Sequence, residues 1–371
     1  MNTEVRDMVC SFDNLYKAMK KCRHNVMWKD SVASYVDNGL INCLKLRESI
    51  LDDRYKLNPY SIFYIHEPKE RKIVSTRLKD RVLQRSLCDN YLTPIITKSF
   101  IYDNCACQLN KGTQFARQRL KCHIQRFYRK HGTNGYVLKC DLSDYFGSTS
   151  HELAIATVKR YIKDEWALKE TTRVINSFVD GENPTIGMGL GSQMTQLIQL
   201  AVLDDIDHYI KERLHIKHYI RYMDDFILIH ESKEYLLYCK QVIGILLENK
   251  GLRLSKKKTQ VFELTQPIKF LGFTYWVKQS GKVIMRLNKD KISHERRKLK
   301  RQIARAEKGY MTYYRVEQCY ISWKAHAHNG NSFALIGKMN RYYKRNGGKR
   351  YDKSNQSSRA VSERTEQKQG S

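Results

Sequence analysis

Two short β-prone runs, His218 to Tyr222 and Phe226 to His230, are separated only by Met223-Asp224-Asp225. That spacing leaves room for one reversal of direction, so the segment is predicted to be an antiparallel hairpin with two carboxylates at its tip. An isolated hairpin is marginal in water, which commits this part of the chain to a larger sheet. An Asp-Asp pair in a short turn is also ordinary turn chemistry and by itself specifies no site. A third acid changes that reading. Tyr136-Val137-Leu138-Lys139-Cys140 is another β-rich run, and it ends in Asp141. Asp141, Asp224 and Asp225, converging at strand ends, make a hard oxygen-rich site suited to Mg²⁺. Two such ions suit an in-line displacement at phosphate.

The rest of the chain alternates helix and strand. Its 371 residues suffice for two or three compact units. Phe12 to Arg54 reads as helical, with Val32, Tyr35, Leu40 and Leu44 at mixed three and four spacing, and is expected to cover the domain that follows. Ile62-Phe63-Tyr64-Ile65 and Lys72-Ile73-Val74, joined by Glu67-Pro68-Lys69-Glu70-Arg71, read as a basic hairpin. Glu152 to Trp166 looks helical, and a glycine-rich turn, Gly187 to Gly191, leads into Thr195 to Ile210, whose Leu200, Leu203, Ile206 and Ile210 share one face. Tyr235 to Glu248 is amphipathic, while Val261 to Leu264 and Phe270 to Trp276 add strands. Beyond Arg286 the chain returns to a very basic helix, and Arg286 to Lys308 holds too little apolar surface for a bundle of its own. Lys349 to Ser371 is polar and breaker-rich and is expected to be disordered. Strands interleaved with helices in this way predict an α+β domain on an antiparallel sheet.

Charge narrows the partner. Lys plus Arg is 67 against 38 Asp plus Glu, a formal +29, which points to a polyanion, either nucleic acid or an acidic membrane surface. No apolar run is long enough to span a bilayer and Met1 to Phe12 lacks a signal-peptide layout, so a cytoplasmic protein without a membrane partner is expected. Ten cysteines scattered without a C-x-x-C pair suggest reduced thiols, not a disulfide framework or zinc site. Asp204, Asp205 and Asp207 form a rival acidic cluster, read as a solvated helix face or salt-bridge partners. His326-Ala327-His328 reads as a polar loop, and Tyr320 and Trp323 as core.

In that context Tyr222-Met223-Asp224-Asp225 resembles the Y-x-D-D box of reverse transcriptases, and Asp141-Leu142-Ser143-Asp144-Tyr145-Phe146 resembles their first palm motif. Gly187 to Gln196, Leu252 to Thr259 and Phe270-Leu271-Gly272-Phe273 follow in the family's order, and Glu67 to Ile73 with Asp80-Arg81 resembles the fingers. The resemblance spans about residues 12 to 345 and implies a right-hand polymerase fold with an antiparallel-sheet palm, fingers and a helical thumb. Its divisions would be an N-terminal helical extension (1–60), fingers (61–135), palm (136–280), thumb (281–346) and a disordered basic tail (347–371).

The same resemblance implies an RNA-directed DNA polymerase that takes an RNA template, a DNA primer, dNTPs and two Mg²⁺ ions. Asp141, Asp224 and Asp225 would be the catalytic metal ligands, with Asp144 a turn or supporting group. The nucleotide would meet Lys69, Arg71, Phe146, Leu190, Gly191 and Lys258, with Phe146 beneath the sugar and Lys258 placed to protonate pyrophosphate. Primer and template would meet Tyr222, Gln196, Phe270, Leu271 and Gly272.

The 371 − 273 = 98 residues after Phe273 are too few for a thumb with an RNase H or a full maturase and endonuclease module. Leu190-Gly191-Ser192-Gln193-Met194-Thr195-Gln196 resembles the I/L/V-G-x-x-x-S-Q pattern of diversity-generating retroelement enzymes, departing at Thr195 and, just before it, at Gly189. That subtype implies misincorporation opposite template adenines and a small basic accessory protein. One alternative is an anti-phage defence reverse transcriptase, although the retron N-A-x-x-H signature is not found between Gln108 and Tyr136. Another is a palm-fold RNA-binding protein without polymerase activity, against which the intact carboxylate set argues.

Overall fold

The computed structural model of the chain describes residues 4–66, 70–178 and 184–348, so Lys69 and the basic tail from residue 349 lie outside the described residues. The chain divides after Leu264 into two compact units. The first opens with α1 (Glu4–Val9), α2 (Phe12–Cys22), α3 (Asp30–Asp37) and α4 (Gly39–Leu51). Ser11 starts α2 by accepting a bond from the Asn14 amide, satisfying one of the donors a helix leaves open. Leu15, Ala18 and Met19 then form a three-and-four stripe that is buried against α4 and α5 (Leu78–Leu87). The predicted single helical stretch is thus broken, and its expected apolar face is only half right. Val32 is buried, whereas Leu40 and Leu44 are exposed and Cys43, Leu46 and Ile50 face the core instead.

Strands β1 (Ser61–Ile65) and β2 (Arg71–Ser75) pair antiparallel, as the basic hairpin requires. After α5 come α6 (Thr93–Thr97) and α7 (Thr113–His131), then β3 (Tyr136–Asp141). The helices α8 (Tyr145–Ser148), α9 (His151–Tyr161), α10 (Glu165–Asn176), α11 (Gln193–Val202) and α12 (Asp204–His208) lead to β4 (His218–Tyr222) and β5 (Asp225–His230). Helix α13 (Lys233–Glu248) and β6 (Gln260–Glu263) complete the unit. Side-chain caps recur where these helices begin: Ser150, Asp164, Ser192 and Ser232 each accept from a backbone amide of the first turn.

The four-stranded sheet has the order β4-β5-β3-β6, antiparallel throughout. Helix α7 packs on β4, while α13 packs on β3, β5 and β6. The middle of β5, Phe226 to Ile229, is buried at every position, which is why its sequence is a continuous apolar run with no alternation. One core runs from Val9 through α5 and α11 to Leu252, so the N-terminal helices are built into this unit.

The second unit begins with β7 (Ile268–Phe270), β8 (Phe273–Val277) and β9 (Val283–Leu287), an antiparallel meander. β9 was not legible in the sequence: Arg286, read as the start of a basic helix, lies in this strand, and α14 (Lys289–Glu307) starts three residues later. α14 buries only Glu295, Leu299, Ile303 and Ala306. Two further helices, α15 (Tyr313–Ala327) and α16 (Phe333–Arg345), complete the small bundle with Val316, Tyr320, Met339 and Tyr343. Tyr320 stacks on Tyr343 at 4.6 Å between ring centroids and Trp323 packs beside it, both as expected for core. His326 is not in a loop. It lies in the last turn of α15 with its ring 5.2 Å from that of Phe273.

Candidate active site

The hairpin between β4 and β5 is tighter than the sequence suggested. Tyr222 pairs with Asp225, so Met223 and Asp224 alone form the turn and Asp225 is the first residue of the strand. Met223 has φ +56°, a left-handed conformation that is costly for a side chain of its size. On the other side of β5, Asp225 stands directly opposite Asp141, the last residue of β3. The sheet therefore brings two of the three carboxylates face to face on neighbouring strands and puts the third in the adjoining turn.

Their electrostatics reflect that crowding. Burial, above all, pushes the Asp225 carboxyl up to about 6; Lys139 opposes the shift, and Asp141 and Asp224 add to it. Asp224 is raised for the same first reason, reinforced by Asp141 and opposed by Lys258 and Arg71. The Lys258 ammonium lies 2.5 Å from Asp141 Oδ1, and the Lys139 ammonium lies 3.3 Å from Asp225. Asp225 Oδ1 makes no hydrogen bond in spite of that neighbour. Among the described residues no three acidic, histidine or cysteine side chains already form a closed metal-binding cluster. The donors nonetheless fit Mg²⁺ in kind: hard carboxylate oxygens, partly buried, mutually repelling, and with one oxygen left without a hydrogen bond.

A cavity of about 300 Å³ is lined by Arg71, Lys72, Asp144, Phe146, Phe178 and Leu190, among others. Backbone bonds shape its walls. Met188 donates to the Phe146 carbonyl at 2.8 Å, Gly187 to that of Thr149 at 2.9 Å, and Val74 of β2 to that of Leu190 at 3.3 Å. These tie the glycine-rich turn to the segment after Asp141 on one side and to the basic hairpin on the other. Gly191 has φ +131°, and a Cβ there would sit 3.3 Å from the Val74 carbonyl oxygen. A Cβ on Gly189 would fall 2.2 Å from the Phe178 ring, which itself stacks on Tyr60 at 5.1 Å.

Of the residues singled out from the sequence, Arg71, Phe146 and Leu190 line this one cavity. Gly191 abuts β2, and Lys258 is engaged by Asp141. Asp144 adopts φ +40° ahead of α8 and also lines the cavity, a turn residue at the site's edge. Tyr222 is half-buried at the end of β4, and Gln196 on α11 meets the Cys107 thiol at 3.4 Å. In the second unit Phe270 is buried, while Leu271 and Gly272, at φ +45° and +83°, form the turn between β7 and β8.

The acidic cluster on α12 supplies salt-bridge partners, one of its two readings from the sequence, but the other reading, a solvated face, needs correction. Asp205 is partly exposed and pairs with Lys250, but Asp204 and Asp207 are buried and do not form a solvated face. Asp207 holds the buried Arg221 guanidinium, with Nη2 2.5 Å from Oδ2. Sequence reading missed Arg221, as it missed Tyr60, Phe178 and Lys139. The available signal was a lone arginine in an otherwise apolar strand, immediately before the Tyr222 box.

The reverse transcriptase (RNA-dependent DNA polymerase) family profile matches residues 66–275, more than half of the chain. The group II intron-encoded protein LtrA of Lactococcus lactis subsp. cremoris is 37% identical over 67 residues, 18% of this chain and 11% of that protein. Protein YkfC of Escherichia coli K12 is 23% identical, over 61% of this chain and 69% of its own length. The match thus spans about a tenth of the first relative. Among solved structures, telomerase from Candida albicans with a TWJ fragment of telomeric RNA has a TM-score of 0.48 at 14% identity, covering 64% of this chain and 46% of that one. Apo telomerase from Candida tropicalis truncated from its C-terminal domain gives 0.46 at 13%, covering 66% and 60%. Among the described residues no helix is long and apolar enough to cross a membrane.

Proposed function

This chain belongs to the reverse transcriptase (RNA-dependent DNA polymerase) family, and we propose that it is an RNA-directed DNA polymerase that extends a DNA primer on an RNA template. The observation that carries this reading is the register of the sheet: Asp141 faces Asp225, with Asp224 in the adjoining turn. In this reading the first unit supplies fingers and palm, and the basic helices of the second unit act as a thumb.

Asp141, Asp224 and Asp225 would hold two Mg²⁺ ions, whose chemistry when bound would be to make the primer 3′-hydroxyl more acidic and to offset charge on the pyrophosphate. Arg71, joined by Lys69, binds the triphosphate from the basic hairpin. Phe146 lies under the sugar, where its ring leaves no room for a 2′-hydroxyl, and Leu190 with Gly191 forms the opposite wall. Lys258, now against Asp141, would be the group to protonate the pyrophosphate. Tyr222, Gln196 and the turn at Phe270-Leu271-Gly272 contact primer and template.

Leu190 and Gln196 support the diversity-generating subtype, in which an aliphatic side chain replaces a polar contact and loosens base selection. A cytoplasmic setting and a small basic accessory protein go with that reading. The test is extension of a DNA primer on a defined RNA template with Mg²⁺ and dNTPs, followed by sequencing of the cDNA. Errors concentrated opposite template adenines, reduced in Leu190→Gln, support diversification. Evenly spread errors or untemplated repeats favour the anti-phage reading, and an absence of cDNA overturns the polymerase itself.

A further inference from the structure

Arg221 is a fully buried cation in a protein whose other arginines are mostly at its surface. Its side chain is 1% exposed and that of its partner Asp207 is 0% exposed. The guanidinium uses its fork in three directions. Nε reaches Asp207 Oδ1 at 2.7 Å and Nη2 reaches Oδ2 at 2.5 Å; Nη2 also donates to the Leu200 carbonyl at 3.0 Å, and Nη1 to the Met223 carbonyl at 3.2 Å. The Tyr219 hydroxyl donates to the same Asp207 carboxylate at 2.5 Å. A buried ion pair of this kind is weak evidence for stability, because a well-packed apolar pair of similar volume often serves as well. Its geometry suggests another use.

Two residues before the turn the β4 backbone is also held from outside the sheet: the Arg221 amide donates to the Asp103 carbonyl at 3.1 Å, and the Cys105 amide to the Arg221 carbonyl at 3.0 Å. Asp225 is placed by its pairing with Tyr222 and Asp141, but the turn residues Met223 and Asp224 have no partner in the sheet register. Met223, in its left-handed conformation, precedes Asp224, and its carbonyl is met by Arg221. Leu200, the other carbonyl held, lies on α11. The preceding residue of that helix, Gln199, accepts from the Tyr145 hydroxyl at 2.5 Å and bonds the Thr149 side chain at 2.9 Å. Tyr145 and Thr149 belong to the segment that follows Asp141. One helix therefore bonds both to Arg221 beneath the hairpin tip and to the α8 segment that follows Asp141, and Arg221 is the link on the hairpin side.

Resting on the polymerase reading above, we propose that Arg221, anchored by Asp207, is a positioning residue that fixes the Met223–Asp224 turn, and so Asp224 relative to the paired Asp141 and Asp225, for divalent-metal binding. Lysine cannot replace it, since one ammonium cannot span the carboxylate, Leu200 and Met223 together. Two variants test this: Arg221→Lys, and Arg221→Met/Asp207→Leu, in which an apolar pair substitutes for the packing. Mn²⁺ binding is followed by electron paramagnetic resonance on the full chain with RNA template and a dideoxy-terminated primer; kcat and primer–template Kd are measured separately.

Both variants are expected to keep primer–template Kd within about twofold, while Mn²⁺ affinity and kcat each fall about tenfold or more. Wild-type Mn²⁺ affinity and kcat in either folded variant overturns the proposal. So does a weakening of primer–template binding without a change in Mn²⁺ affinity, or failure of both variants to fold, which would assign the pair to folding alone. A wild-type protein that binds Mn²⁺ but makes no cDNA defeats the polymerase reading instead, and the Mn²⁺ comparison still decides the role of Arg221.

Discussion

In the proposed reading, Phe146 is the residue on which the choice between dNTP and rNTP turns. It lines the cavity beside Asp144 and Leu190, and the Met188 amide donates to its carbonyl at 2.8 Å, so its backbone is tied to the glycine-rich turn. Truncation to Phe146→Ala opens space where a 2′-hydroxyl would sit. The expected outcome is a fall in dNTP-over-rNTP discrimination of about tenfold or more, read as the ratio of kcat/KM values, with dNTP incorporation changed much less. An unchanged ratio would return Phe146 to the role of ordinary core. At this scale the sequence was informative wherever a residue type carries its own chemistry, as with Asp141, Asp224 and Asp225. Arg221 and Asp207 escaped it because their significance is a pairing across fourteen positions of chain, between a helix and a strand, that no local spacing reveals.

Among the elements, β4 joins two opposite environments. Its C-terminal end leads into the carboxylate turn, while His218 at its start packs edge-on to Phe127 and to His123, each with 5.7 Å between ring centroids. Burial pushes the His218 imidazole down to about 4, and the neighbouring His123, Lys211, His131 and Arg126 push the same way. A histidine depressed in the fold favours folding while neutral. Its contribution is complete above the unfolded value of 6.5 and is lost as pH falls through about 4. His218→Gln should lessen this acid sensitivity. Between pH 7 and pH 4.5 the parent is expected to lose on the order of 1–2 kcal/mol more stability than the variant in urea denaturation, after allowance for solvent screening. Parallel losses would contradict the assignment. The β4–β5 hairpin was readable because apolar runs and a short spacing allow little else. β9 was not, because Arg286 sits at an exposed position of an edge strand and reads with the basic helix after it. Leu40 and Leu44 misled for a related reason: periodicity identifies a face without saying whether anything covers it.

For the whole molecule, a net charge of +29 contrasts with a small cluster of carboxylates. Burial, with a smaller push from the neighbouring carboxylates, raises Asp224 and Asp225, and cations from separate elements, Lys139, Lys258 and Arg71, oppose the shift. In the proposed reading such a site exchanges its lysine contacts for divalent metal, and the basic remainder suits a phosphate backbone. The most direct test of this account is single-nucleotide incorporation on a preformed RNA template–DNA primer complex with Mg²⁺, comparing the wild-type chain with Asp224→Ala/Asp225→Ala. The account predicts product from the wild type and a loss of about a thousandfold or more in the double variant, with primer–template binding retained. Equal product from the two proteins, or none from the wild type, would contradict it.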